Sequence, residues 1–210
     1  MIDRQRVKNI MFDLGGVVTN LNRQRCVDAF LKLGVSDIDS LLGLYVQSGI
    51  FKKLESGELE VDAFHDKLRQ HCGLPLLDEQ IDNALMLFIE GIPLSRLQAL
   101  EQLHHSYALY VLSNTNPIMF PHIIAQEFKK DGHDMNYYFD SYTVSYEAGY
   151  NKPEKGIFDY AVSHMGIKPE ETLFLDDSPT NVDAAATYGF QALLVAPGTE
   201  FMEILDKQVL

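Results

Sequence analysis

Three short apolar runs in this chain each break off into polar residues suited to chemistry. Asn9-Ile10-Met11-Phe12 stops at Asp13 and then Gly15-Gly16, residues 107–112 (Tyr-Ala-Leu-Tyr-Val-Leu) stop at Ser113-Asn114, and residues 172–175 stop at Asp176-Asp177. A brief unbroken apolar run closed by polar or glycine residues reads as a strand buried on both faces. Helical signals fall between these runs. Residues 97–104 are helical in pattern. Residues 153–164 place Ile157, Phe158, Ala161, Val162 and Met165 inward, and Gly166 closes them. Ser178-Pro179 offers an N-cap followed by a first-turn proline for a helix that stops at Gly189. Residues 141–145 and 192–195 supply two more short strands.

Strand–helix–strand alternation implies a parallel sheet with helices on both faces. Between the first strand and the rest lies a different texture. From Asn22 to Ile92 the spacing is helical: Cys26, Phe30 and Leu33 share one face, and Val61, Phe64 and Leu68 share another. The breaks come at Gly34, Gly57 and Gly73-Leu74-Pro75, with no strand-like alternation. The expected architecture is therefore α/β: a Rossmann-like parallel sheet core, residues 1–20 plus 93–210, with a small helical cap domain, residues 21–92, inserted as a lid. A length of 210 residues suits one domain with a modest insert.

Charge narrows the partners. Seventeen Lys+Arg against 30 Asp+Glu leave a net −13, and no basic cluster opposes that sign, so a nucleic-acid partner is not expected. No apolar run approaches the roughly 20 residues of a membrane span. The N-terminus lacks the apolar core of a signal peptide. Cys26 and Cys72 lie outside any CxxC spacing and read as reduced thiols. These features predict a cytoplasmic protein, and they are silent on its oligomeric state.

In a parallel sheet, ligands bind outside the carboxyl ends of the strands. Asp13, Ser113-Asn114 and Asp176-Asp177 then meet in one crevice, with Lys152 just before a helix in the same half. Several carboxylates at close range raise each other's pKa unless a cation sits among them. A hard divalent ion, most simply Mg²⁺, removes that cost. Lys152, Ser113 and Asn114 would suit a phosphate, and Asp13 stays available as a nucleophile.

The ordered segments Phe-Asp-Leu-Gly-Gly-Val, Val-Leu-Ser-Asn, Lys-Pro-Glu and Phe-Leu-Asp-Asp-Ser-Pro-Thr-Asn resemble those of the haloacid dehalogenase-like hydrolase superfamily. The likeness is to the branch with a helical cap after the first motif, which includes bacterial sugar-1-phosphate phosphatases and the phosphatase domain of soluble epoxide hydrolase. It implies that Asp13 attacks phosphorus to form an aspartyl-phosphate. Ser113 and the Asn114 region would hold phosphoryl oxygens, and Lys152 would neutralise phosphate and Asp13. Asp177 would bind Mg²⁺ directly and Asp176 through water, with Asp13 and the Gly15 carbonyl completing the ligands.

At one position the chain departs from the family pattern. The residue two after the nucleophile is usually an aspartate serving as acid and base; here it is Gly15. General acid–base help is typically worth about 10²–10⁴-fold. Its loss disfavours a phosphomutase and predicts a phosphatase whose rate depends steeply on leaving-group pKa. The expected substrate is a small phosphorylated metabolite such as a sugar phosphate. Metal-independent 2-haloacid dehalogenation is the alternative, since halide leaves without a proton, although the paired Asp176-Asp177 would only hinder it. A catalytically degenerate member binding a phosphometabolite or a protein is the other.

Each residue has a plainer explanation when taken alone. Asp13 suits a turn, Ser113-Asn114 a helix cap near Pro117, Lys152 a solvated surface and Asp176-Asp177-Ser178 a capping cluster. Their order at strand ends favours a site. His104-His105 do not share a helix face and are not a metal pair. Tyr137, Tyr138, Tyr142, Tyr146 and Tyr150 read as packing and sheet-edge residues, and the cysteines as buried. The resemblance to capped members of the superfamily implies that substrate choice lies in the cap, with Lys52, Lys53 and Glu55 near Gly57, in a break between cap helices where a loop could reach the crevice, and Arg23 and Arg25 near the first linker, as candidates.

Overall fold

The computed structural model describes residues 2–43 and 47–209. Five parallel strands form the central sheet in the order β5-β4-β1-β6-β7: β1 (Asn9–Phe12), β4 (Ala108–Ser113), β5 (Ser141–Val144), β6 (Thr172–Asp176) and β7 (Gln191–Leu194). Registers such as Phe12↔Val111 and Phe12↔Leu175 bring the carboxyl ends of β1, β4 and β6 level with one another. The expected strands thus all form, and none is displaced by more than one residue at either end; β5 stops one residue early, at Val144.

Alternation of side chains across the sheet builds two cores. Ile10 and Phe12 of β1, Val111 of β4 and Leu175 of β6 point to one side. Met11, Leu112 and Phe174 point to the other, where they meet Ile157, Phe158 and Ala161. These last three belong to α10 (Lys155–Met165), whose Val162 and Met165 are only half-buried. The helix starts after Glu154, two residues later than its pattern suggested, because Glu154 is an extended N-cap; Gly166 in the left-handed region ends it. α11 (Pro179–Tyr188) has Ser178 as N-cap and stops at Gly189, and α6 (Leu94–His104) and α12 (Phe201–Gln208) complete the long core helices. Shorter elements, α7 (Ala125–Glu127), α8 (Met135–Tyr138) and α9 (Ser145–Ala148), flank β5.

The cap consists of α1 (Arg23–Lys32), α2 (Ile38–Leu41), α3 (Gly49–Glu55), α4 (Val61–Cys72) and α5 (Asp78–Met86). Phe30, Phe51 and Phe64 pack edge to face at its centre. The cap is not purely helical at its edge. β2 (Asn20–Leu21) pairs antiparallel with β3 (Ile89–Gly91), so the two linkers between sheet and cap form one ribbon. Strands of two and three residues are too short to show alternation, so no periodicity marks them. Arg96 pins this ribbon: its guanidinium donates to the Val18 carbonyl and to Asn20 Oδ1, and pairs with Glu200.

Candidate active site

Asp13 follows β1, and its backbone N–H donates to the Leu175 carbonyl of β6 at 2.8 Å. Its Oδ1 accepts from the Leu14 N–H at 2.7 Å and from Lys152 Nζ at 2.9 Å, while Oδ2 has no protein partner among the described residues. Burial raises the Asp13 pKa, Lys152 offsets part of that, and the result is about 6. Lys152 is 3% exposed. Its Nζ also donates to Asp176 Oδ2 at 2.7 Å and to the Leu112 carbonyl at 2.8 Å. Burial works against its charge, but Asp13 and Asp176 outweigh burial and hold it above the usual lysine range.

The adjacent aspartates at the end of β6 are in different situations. Asp176 is wholly buried and fully engaged: besides Lys152, it accepts from the Ser178 N–H at 2.8 Å and from Asn181 Nδ2 at 3.0 Å. Asp177 has no side-chain partner among the described residues, and burial, with the charges of Asp13 and Asp176 adding, pushes it up to about 7. Oxygens of Asp13, Asp176 and Asp177 lie within 4.8 Å of one another, the one such acidic cluster among the described residues. Gly16 leaves room for this arrangement. It has φ +74°, and a Cβ there would lie 2.1 Å from Asp177 Oδ2. An all-oxygen donor set, with Asp177 free, one Asp13 oxygen open and Asp176 engaged behind them, fits a hard divalent cation.

The loop after β4 builds the opposite wall. Ser113 is 2% exposed and lines the cavity with Thr115. Asn114 holds the lysine loop: its Oδ1 accepts from the Lys152 N–H at 2.8 Å, and its Nδ2 donates to the Lys152 carbonyl at 3.0 Å. That positioning use of both ends of the amide went unread in the sequence. So did Asn181, at the third position of α11, which braces Asp176 and lines the cavity. Its place one turn after an Asp-Asp pair is the signal that could have found it. Thr19 and Thr115 contribute buried hydroxyls with no hydrogen-bond partner in the protein. The cap near Pro117 is Asn116 and not Ser113-Asn114: its Oδ1 accepts from the Ile118 and Met119 N–H groups.

Of the cap candidates, only Glu55 reaches the cavity. Lys52 and Lys53 are exposed on α3 and not in a loop. Arg23 is taken up by the Leu42 carbonyl and Asp39, and Arg25 lies in an outer groove with Asp28 and Lys32. His104 and His105 have separate partners, Asp140 and the Glu101 carbonyl. Cys26 is buried as expected, but Cys72 is only half-buried. Among the tyrosines Tyr138 is buried, whereas Tyr137 and Tyr150 are exposed, Tyr137 because α8 buries Met135 and Tyr138 instead. The cavity is about 70 Å³, well below the roughly 300 Å³ at which sites enclose a drug-sized ligand, so the cap stands closed. No described helix is long and apolar enough to cross a membrane.

Similarity to known proteins agrees with this geometry. Residues 7–189 match the haloacid dehalogenase-like hydrolase family. The D-ribitol-5-phosphate phosphatase of Bacteroides thetaiotaomicron is 37% identical over 199 residues, covering 95% of this chain and 97% of that protein. A wild-type enzyme of the same family from that organism, solved with magnesium and inorganic phosphate, superposes with a TM-score of 0.88 at 35% identity, covering 94% of this chain and 98% of its own. A Porphyromonas gingivalis structure described as a predicted hydrolase of the family gives 0.89 at 34% identity, covering 96% and 97%. The chain belongs to the haloacid dehalogenase-like hydrolases.

Proposed function

We propose that this magnesium-dependent phosphatase hydrolyses a small polyol or sugar phosphate, with ribitol 5-phosphate the first candidate, through an aspartyl-phosphate on Asp13. The observation that carries the chemistry is Asp177: an unpartnered carboxylate beside the Lys152-bound Asp13. A dehalogenase has no use for such a group. The substrate class rests on the ribitol-5-phosphate phosphatase that is 37% identical along almost the whole chain.

Asp13, Asp177 and the Gly15 carbonyl would hold Mg²⁺, with Asp176 acting through water because its own oxygens are already engaged. When bound, the ion neutralises the carboxylates and the charge that develops on the phosphoryl oxygens. Lys152 keeps Asp13 oriented and supplies positive charge to the same oxygens. Ser113 and the Asn114 loop, with the free hydroxyls of Thr19 and Thr115, offer donors for the remaining phosphoryl oxygens. Gly15 stands where the family usually has its acid and base, and it contributes no side chain. The closed cap limits substrate size and excludes bulk water.

The test is phosphate release from a panel of polyol, sugar and aryl phosphates, with Mg²⁺ or with chelator. Release that needs Mg²⁺ and is lost in Asp13→Asn supports the reading. Chloride release from 2-chloropropionate in the presence of chelator would overturn it.

A further inference from the structure

Glu55 ends α3 and belongs to the cap, yet it lines the same cavity as Asp13, Gly15 and Lys152. It is 7% exposed, and its carboxyl has no hydrogen-bond or ion-pair partner among the described residues. A buried carboxyl with nothing to bond to costs stability, and such a group in a cavity calls for a ligand that completes it.

Its position is fixed by the turn that follows. Gly57 has φ +71°, and a Cβ there would lie 2.2 Å from the Tyr146 carbonyl oxygen in α9 of the core. Only glycine lets this turn seat so closely on the core. Ser56 Oγ ties the turn internally, donating to Glu58 Oε1 at 3.0 Å. Across the cavity, Gly15 presents no side chain, and the space its Cβ would enter is occupied by Leu21, whose Cδ1 would be 3.2 Å away. Burial, with the Asp13 charge adding, pushes Glu55 up to about 8, so it carries its proton at neutral pH.

We propose that Glu55, delivered by the closed cap, is the catalytic acid and base that position 15 does not provide. This rests on the phosphatase reading above. As an Asp13 oxygen bonds to phosphorus, the phosphorus–oxygen bond to the leaving group breaks, and the Glu55 proton goes to that oxygen to give the alcohol. The Glu55 carboxylate then takes a proton from water while the water oxygen bonds to phosphorus. The bond from phosphorus to Asp13 breaks, phosphate leaves, and both side chains return to their starting states. With the acid carried by the cap, bond cleavage is confined to the closed form.

The experiment compares alcohol release in the first turnover by the Mg²⁺-loaded native enzyme, Glu55→Gln and Glu55→Ala. Ribitol 5-phosphate represents a leaving group that needs a proton, and p-nitrophenyl phosphate one that does not. Both variants are expected to slow ribitol release by about 10²-fold or more, and p-nitrophenol release by less than a tenth of that factor. Gly15→Asp in the Glu55→Gln background should recover ribitol release, since Leu21 needs to shift only slightly. An equal loss on both esters would overturn the proposal. So would a variant that only raises KM for ribitol 5-phosphate, which would make Glu55 a contact to substrate hydroxyls. A native enzyme idle on both esters overturns the phosphatase reading itself.

Discussion

The core and the cap each place a buried ionisable group in the cavity, and they do so in opposite ways. Lys152 of the core donates to three oxygens, on Asp13, Asp176 and Leu112, and its backbone is clasped by Asn114. The Glu55 carboxyl of the cap is bonded to nothing among the described residues, and its place is set by α3 and the turn at Gly57. One half of the site is complete in advance; the other is finished by the substrate. This division suits an enzyme that must hold a nucleophile rigidly while opening to admit an ester.

Lys152→Met would break that contrast most severely. It leaves Asp13 and Asp176 buried without their cation, and removing one partner of a buried pair typically costs about 3–5 kcal/mol. Denaturant unfolding should show a loss of that order, and phosphate release should vanish. A variant as stable as the native protein would mean that the two carboxylates are relieved by some other group.

A smaller and more local effect is expected at Gly16. A methyl group there collides with Asp177 Oδ2, so Gly16→Ala should weaken Mg²⁺ binding about 10–100-fold, the usual loss when a metal ligand is displaced by its support. Titrating activity against Mg²⁺ measures it. Unchanged Mg²⁺ dependence would remove Asp177 from the ligand set.

How far this site was legible beforehand differs between its two halves for a physical reason. Parallel strands announce themselves as short apolar runs, and their carboxyl ends converge, so the sequence alone places Asp13, Ser113, Asp176 and Asp177 together. Lys152 followed from its position ahead of α10. Asn114 and Asn181 stood in view, but their use depends on side-chain bonds between distant loops, which no spacing encodes. Glu55 was one of several charged residues near Gly57, and nothing in the sequence distinguishes it from Lys52 or Lys53. The choice is made by the face of α3 that turns inward when Gly57 seats on Tyr146. The ribbon of β2 and β3 was missed because strands of two and three residues carry no period.

The smallest expected effect concerns pH. Asp13 and Asp177 have folded pKa values raised to about 6 and about 7, above those of the unfolded chain. Their protonation favours the folded state fully below about pH 4, and that contribution is lost as pH rises through 6 and 7. The metal-free protein should therefore melt at a lower temperature at pH 8 than at pH 5.5. Added Mg²⁺, which binds the ionised carboxylates, should raise the melting temperature more at pH 8. Thermal unfolding at the two pH values, with Mg²⁺ and with chelator, checks both signs.

The most direct measurement is to quench the Mg²⁺-loaded enzyme in acid during a single turnover of ribitol 5-phosphate and map the modified peptide by mass spectrometry. A phosphoryl group on Asp13 that forms and then decays as phosphate appears is the expected result. Phosphate released at the full rate with Asp13 never modified, and equally by Asp13→Asn, would contradict the nucleophilic role on which the whole site has been built.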